Sequence, residues 1–251
     1  MINPRPHPPA LEHGEIVSVF DDIYMVRGGV RFKYRFIPIK GERNMLIIRE
    51  AGELTLINTV RLTEPGLEKL EALGQIRHIV RIGGFHGMDD PFYKERYGAH
   101  VWSVNAPYNA TLNPQPGPDD VYFEADTLLS PGTALPISDA EFIEITSSTP
   151  KESVVLLNRE GGIVISADCF QNIDPNSPGP ILIKFMMRRF LRRHNIGPGW
   201  YSAAQPDINE VSAILDREFE HVLPSHGDPV IGNAAAQYRP RVEEIQKVAA
   251  R

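Results

Sequence analysis

Three groups of polar residues that could bind a divalent metal follow apolar stretches of this sequence. The stretch "IRHIVRI" precedes His86, Asp89 and Asp90, "GIVIS" precedes Asp168, and "EHVLP" precedes His226. Imidazole nitrogen and carboxylate oxygen suit zinc, iron or manganese, and two histidines with one carboxylate leave coordination positions open for a substrate. We therefore expect these five residues to be metal ligands, with His86 and Asp168 also taking part in catalysis.

The apolar stretches before these groups are expected to be buried strands, because the ends of strands present side chains to a cleft while their interiors give rigid support. Upstream, short β-rich runs separated by turn signals, among them Lys-Gly-Glu at 40–42, predict an antiparallel meander. After Thr63, Leu67 and Leu70 recur at helical spacing and predict a helix. A "NREGG" turn predicts a later β-hairpin. The fold class is therefore mixed α/β (α+β).

Composition limits the classes of partner. The chain has 251 residues, 42% hydrophobic and 23% charged, which is enough for one large α/β domain with a substantial core. Its formal charge of −6 is too acidic for a general nucleic-acid binder, so we expect no DNA or RNA partner. Cys169 is the only cysteine, which excludes an intrachain disulfide and a multi-thiolate zinc site.

The N-terminal region and one later segment carry further expectations. Four prolines among the first ten residues predict an extended tail over residues 1–14, with a single domain over 15–251. Neither a signal pattern nor a long apolar span occurs, so we expect a cytoplasmic protein without a membrane partner. The basic, apolar segment at 181–194 predicts a helix that serves as a lid or as a homodimer surface.

Each candidate ligand also has a structural interpretation that the sequence leaves open. His86 could be a loop histidine bonded to the backbone, and Asp89 or Asp90 could cap the helix that follows. Asp168 ends an apolar strand, where a carboxylate is costly unless a cation or several N–H donors meet it. His226 could belong to a simple reversal of the chain.

The segments "IRHIVRIGGFHGMDD", "GIVISADCF" and "HVLPSHGDP", in this order, resemble the metallo-β-lactamase fold superfamily, and in particular a divergent branch of it with degraded metal motifs. The resemblance covers residues 16–248. It implies a four-layer αββα sandwich, in which two mixed sheets pack face to face with helices outside and a cleft at one edge.

The family's H-x-H-x-D-H motif is altered in this chain. If His86 matches the second histidine, the first becomes Gly84, the aspartate becomes Met88 and the last histidine becomes Asp89. One inserted residue instead places Asp89 and Asp90 at the D-H pair. The resemblance therefore leaves open which aspartate belongs to a metal site.

The other family motifs divide into lost and retained ligands. The metal-binding histidine of the P-G-H-T segment falls at Ser148 or a neighbour, near Glu152, which could supply a carboxylate or be a solvated charge at a strand end. Asp168 matches the family's bridging aspartate, and His226 matches its final histidine. The resemblance thus implies no two-zinc site, and either one divalent metal, zinc or iron, or none.

Three hypotheses of function follow, each with a small-molecule substrate or ligand. The first is a single-metal hydrolase of an ester, lactone or thioester, with His86 as a ligand or proton shuttle. The second is a non-catalytic relative that binds a small molecule or a protein partner without metal. The third is an oxygenase with a mononuclear iron centre, as the superfamily resemblance allows.

Overall fold

The apolar stretches of the first half form strands and helices in a computed structural model of the chain. In chain order these elements are β1 (Val17–Phe20), β2 (Ile23–Tyr34), β3 (Ile37–Glu50), β4 (Glu53–Ile57), α1 (Glu64–Glu71), β5 (Gln75–Arg81), α2 (Asp90–Tyr97), β6 (His100–Val104), β7 (Tyr108–Asn109), β8 (Val121–Phe123) and β9 (Thr127–Leu129). The structure describes residues 6–34, 37–109, 117, 120–176 and 188–249.

Seven of these strands share one sheet, in the order β1-β2-β3-β4-β5-β6-β9. Neighbouring strands are antiparallel as far as β4 and parallel from β4 to β9. The predicted meander is confirmed, but the turn predicted at 40–42 is wrong. Those residues lie inside β3 and pair with residues 29–31 of β2, because cross-strand pairing outweighs the local turn preference.

The second half of the chain contributes a smaller sheet and three described helices. Its elements are β10 (Ala140–Ile145), β11 (Glu152–Leu157), β12 (Ile163–Ser166), β13 (Phe170–Gln171), β14 (Asn195–Ile196), α3 (Pro198–Ala204), α4 (Ile208–Ile214), β15 (His221–Pro224) and α5 (Ala234–Ala249). The sheet order is β10-β11-β12-β15. The predicted hairpin is β11 with β12, and Gly161 and Gly162 adopt the positive φ angles that its turn requires.

The chain divides into two compact units, Met1–Leu129 and Ser130–Arg251. Each unit has one main sheet and its own helices, which confirms the predicted mixed α/β class. The prediction of a single domain over residues 15–251 stays a prediction.

The described part of the predicted tail is hydrogen-bonded to β2 within the first unit. The Gly29 amide donates to the Glu12 carbonyl at 2.9 Å, and the Gly14 amide donates to the Arg27 carbonyl at 2.8 Å. A Cβ atom at Gly28 would lie 2.3 Å from the Val60 side chain, so glycine is required where β2 is this crowded. These hydrogen bonds fix the described part of the segment along β2, and the extended tail over residues 1–14 stays a prediction.

The helix predicted at 181–194 falls partly outside the described residues, which omit 181–187. Residues 188–194 form turns and bends that lead into β14, so the helical prediction is wrong for that part. The chain is extended directly after His194, where β14 pairs with β13. The role of the segment as a lid or dimer surface stays a prediction. In the described ranges, no helix has the length and apolar character needed to cross a membrane.

Helix α1 packs on the first sheet through the leucines that predicted it. Leu67 and Leu70 are fully buried in one apolar cluster with Leu54, Leu56 and other core side chains. Thr63 stands at the N-cap position as predicted, but its hydroxyl lies 2.8 Å from the His13 ring and makes no capping bond.

We expect Leu67→Ala to lower the free energy of unfolding by about 2–5 kcal/mol, because it removes a fully buried side chain and leaves a cavity. The matched control is Glu68→Ala on the exposed face of α1. It should change the free energy of unfolding by less than about 0.5 kcal/mol. Urea unfolding followed by circular dichroism measures both. Equal effects of the two changes would contradict the packing described.

Candidate metal centre

Parallel pairing of β12 and β15 brings two of the predicted ligands together. Ser166 pairs with Pro224 at the carboxyl ends of the two strands, and the Ser225 amide extends the ladder to the Ser166 carbonyl at 2.9 Å. Asp168 and His226 each follow two residues beyond the paired strand ends. Because the strands run in the same direction, both side chains emerge at one edge of the sheet.

The Asp168 carboxylate and the His226 ring are in contact. Their Oδ1 and Nε2 atoms lie 3.2 Å apart, and the side chains keep 13% and 20% of their surface exposed. Gln171 donates from its side-chain amide to the same Oδ1 atom at 3.3 Å, which restricts the orientation of the carboxylate. One carboxylate oxygen and one imidazole nitrogen therefore lie close enough to bind the same metal ion, and both side chains are partly exposed to solvent.

Glu152 holds the turn that carries Asp168. Its Oε1 atom accepts hydrogen bonds from the Asp168 amide at 2.5 Å and from the Cys169 amide at 2.7 Å. The side chain is fully buried, and burial, together with the nearby Asp168 charge, raises its pKa well above the usual value. The interpretation of Glu152 as a solvated charge is therefore wrong. Cys169 is buried, as expected for a small apolar residue.

The backbone after His226 is fixed against the strand region after Asp168. The Asn172 amide donates to the His226 carbonyl at 2.9 Å, and the Asp228 amide donates to the Asn172 carbonyl at 2.9 Å. Gly227 has a φ angle of +94°, and a Cβ atom there would lie 2.0 Å from the Asn172 carbonyl oxygen. Only glycine fits this position, so the His226 turn depends on it.

His86 lies in the tight loop between β5 and α2. It is 6% exposed, and its amide donates to the Gly83 carbonyl at 3.0 Å. The next residue, Gly87, has a φ angle of +93°, and a Cβ atom there would lie 2.7 Å from atoms of Arg81, Asp90 and Tyr108. The loop is therefore closely packed at this point, and a glycine is needed at position 87.

Asp89 is engaged by a buried arginine. Its Oδ2 atom accepts from the Arg43 guanidinium and from the Arg61 amide, the latter at 2.8 Å. Both side chains of the ion pair are almost completely buried. Asp89 stands at the N-cap position of α2, yet its side chain makes no capping bond. Its carboxylate forms the ion pair with Arg43 instead.

Asp90 is buried and hydrogen-bonded within the first unit. Its two oxygens accept from the Thr59 hydroxyl at 2.5 Å and from the Tyr108 hydroxyl at 2.7 Å. Burial raises the pKa of Asp90, while the bonds from Thr59 and Tyr108 oppose that rise. Both loop aspartates thus have protein partners, and their assignment as metal ligands stays a prediction.

Ser148, at or beside the position where the resemblance places a metal-binding histidine, is part of an internal hydrogen-bond chain. Its hydroxyl is fully buried, donates to the Pro150 carbonyl at 2.7 Å and accepts from the Trp200 indole N–H at 3.1 Å. The Ser148 side chain is therefore committed to packing against α3.

Sequence reasoning missed three residues that shape these clusters. No sequence pattern marks Arg43 or Gln171, and the sequence does not predict that Glu152 is buried. Glu152 begins the almost wholly apolar strand "ESVVLL", and a charge beside such a run was the available signal. Arg43 lies 46 residues from Asp89 in sequence, so no local pattern marks that pair.

Comparisons with known proteins identify the fold. No family model matches the chain, and no curated protein matches its sequence. Among solved structures, VMB-1 superposes with a TM-score of 0.63 at 15% identity, over 92% of this chain and 97% of that one. Metallo-β-lactamase FIM-1 from Pseudomonas aeruginosa, in its mono-zinc form, gives 0.60 at 13% identity, over 96% and 99%.

A metallo-β-lactamase from Pontibacter korlensis gives a TM-score of 0.57 at 15% identity, over 91% of this chain and 98% of that one. At these identities the likeness shows the fold and does not carry a substrate with it.

We expect Glu152→Gln to retain most of the stability, because its carbonyl oxygen can still accept from the Asp168 and Cys169 amides. Glu152→Ala leaves both buried amides without that acceptor and should lower the free energy of unfolding by about 2–4 kcal/mol. Chemical denaturation of both variants measures the difference. A larger loss for glutamine than for alanine would show that the two amide bonds do not hold this turn.

Gly227→Ala should destabilise the second unit more than Gly232→Ala does. Both positions have positive φ, but a Cβ atom at Gly232 meets nothing within 4 Å, whereas one at Gly227 overlaps the Asn172 carbonyl. We expect Gly232→Ala to lower the free energy of unfolding by about 1 kcal/mol through backbone strain. Gly227→Ala should lower it by about 1–3 kcal/mol more. Thermal unfolding of the two variants beside the wild type checks the order, and a reversed order would contradict the close approach.

Proposed function

We propose that this chain, which has the metallo-β-lactamase fold, is a hydrolase that uses one divalent metal ion bound by Asp168 and His226. The observation that carries the proposal is the 3.2 Å approach of the Asp168 carboxylate to the His226 ring at the ends of two parallel strands. Both residues are among the side chains suited to hold a metal ion. The fold belongs to metallo-hydrolases, and FIM-1 has a mono-zinc form.

The donor set suits zinc or iron. Zinc binds histidine nitrogen and carboxylate oxygen at about 2.0–2.2 Å, so two ligands of one tetrahedral ion lie about 3.3 Å apart. The Asp168 and His226 donor atoms are 3.2 Å apart, close to that separation. Gln171 supports the carboxylate from outside, as residues beyond the direct ligands of metal sites do.

A catalytic zinc ordinarily has three protein ligands. We propose His86 as the third ligand or as a proton shuttle, on the strength of its match to the family's metal motif. We do not assign Asp89 or Asp90 to this ion, because Arg43 pairs with the first and buried hydroxyls bond to the second.

A bound divalent ion would lower the pKa of a coordinated water to about 7 and polarise the carbonyl of an ester, lactone or thioester. The chain's own residues would bind the ion and orient its ligands. Gln171 keeps the Asp168 carboxylate turned toward His226, and Glu152 fixes the backbone of Asp168 through two amide bonds. Both side chains keep some exposed surface, through which a small substrate would reach the ion.

The second candidate is a metal-free protein that binds a small molecule or a partner protein. Two observations favour it. Ser148, at or beside the position where the resemblance places a metal-binding histidine, is hydrogen-bonded to Trp200 and Pro150, and the Asp89 carboxylate pairs with Arg43. Oxygenase chemistry at a mononuclear iron centre is the third candidate, and the identity of a bound metal separates it from zinc hydrolysis.

We expect untagged wild-type protein to contain about one metal ion per chain, measured by elemental mass spectrometry. Asp168→Ala and His226→Ala should each lose most of it, because each removes a direct ligand. His86→Ala tests the third ligand separately. His221→Ala is the matched control, since the His221 ring contacts the Glu160 carbonyl and the Gly232 amide and should leave metal content unchanged.

Zinc together with chelator-sensitive hydrolysis of an ester, lactone or thioester would support the first candidate, and iron would support the third. Metal-free wild-type protein, even after dialysis against zinc, would reject the metal-dependent proposal and leave the metal-free candidate.

A further inference from the structure

A cavity of about 290 Å³ lies wholly within the first unit. Its walls come from the N-terminal segment, from β2 and β3, and from the loops before α1 and α2. Leu11, Val60 and Met88 are among its apolar lining residues. This volume is at the small end of the range that ligand-binding sites in proteins occupy, and its largely apolar walls are typical of such sites.

The polar lining of the cavity is strongly basic. Arg31, Arg43 and Arg61 line it together with one acid, Asp89, so positive charges exceed negative ones by two. Within the described ranges, neither Arg31 nor Arg61 forms an ion pair with a carboxylate. An excess of arginine at a concave apolar surface favours an anionic ligand.

Arg43 is the buried centre of this charge. It is 4% exposed, and one end of its guanidinium pairs with Asp89. Its Nε–H is buried and has no hydrogen-bond partner among the residues that the structure describes. A buried donor without an acceptor is costly, and an acceptor supplied by a ligand would remove that cost.

Arg61 is held in place from two sides. Its guanidinium lies 4.2 Å from the centre of the Phe92 ring, and it also donates to the Pro8 carbonyl. A planar guanidinium that is already oriented loses less freedom when it binds a carboxylate in its fork. Arg31 is exposed at the rim, where it adds charge without being needed for packing.

We infer that this cavity binds a small amphipathic carboxylate, whose charged group meets Arg43, Arg61 and Arg31 and whose apolar body contacts Leu11, Val60 and Met88. Asp89 is a negative charge in the lining, and it repels a phosphate dianion more strongly than a carboxylate with a single negative charge. The inference does not depend on the proposed metal centre, since no residue of the Asp168–His226 pair lines the cavity.

The test is isothermal titration calorimetry of the full chain with octanoate, 1-octanol, acetate and inorganic phosphate. Octanoate should bind at least about tenfold more tightly than octanol, which lacks the charge, and than acetate, which lacks the apolar body. Octanol binding as tightly as octanoate would overturn the role of the arginines. Phosphate binding more tightly than octanoate would overturn the choice of a carboxylate.

Variants then locate the binding. Arg31→Gln and Arg61→Gln should each weaken octanoate about tenfold, while Arg27→Gln, on the same strand as Arg31 but outside the cavity lining, should not. Arg31→Gln keeps the test valid if Arg61→Gln fails to fold, because Arg31 is exposed. Asp168→Ala should leave octanoate affinity unchanged. Loss of binding in Asp168→Ala, with none in Arg31→Gln, would place the carboxylate on a metal and reject this site.

Discussion

Parallel pairing of β12 with β15 is the constraint on which the candidate metal centre depends. Side chains alternate between the two faces of a strand, so a slip of one residue in this pair would turn Asp168 and His226 away from each other. The second unit secures the register beyond the strands themselves. Asn172 bonds to the backbone around His226, and Tyr238 of α5 lies against Phe170 and donates to the Gln171 carbonyl.

The four buried carboxylates of the candidate clusters differ in role because they differ in partners. Asp89 faces an arginine, Asp90 faces hydroxyl groups, Glu152 accepts from backbone amides, and Asp168 faces a histidine. Burial makes an unpaired carboxylate costly, so each requires a partner that stabilises it. The partner decides how readily each carboxylate could bind another cation. A buried guanidinium or backbone amide that loses its carboxylate acceptor is left unpaired, which is costly.

Local patterns predicted the parts of the fold that local forces decide. Leucine spacing marked α1, and apolar runs marked β5, β12 and β15, because burial of one face or of a whole strand imposes those periods. The proximity of Asp168 and His226 could also be expected from sequence, since the two residues stand at the same distance after two such runs. The turn expected at 40–42 was wrong because pairing of β3 with β2 is a long-range effect that no short window contains. The Arg43–Asp89 pair escaped prediction for the same reason.

Access to solvent separates the Asp168–His226 pair from the other internal contacts. The Arg43 and Asp89 side chains are 5% and 6% exposed, whereas those of Asp168 and His226 are 13% and 20% exposed. An ion entering the first pair would have to displace a desolvated charge partner, which leaves a buried charge unpaired and is strongly unfavourable. An ion reaching the second would replace one hydrogen bond between two groups that both bind metals well. The Ser148 hydroxyl is committed to packing against Trp200, whereas the Asp168–His226 pair combines two metal-binding side-chain types with exposed surface.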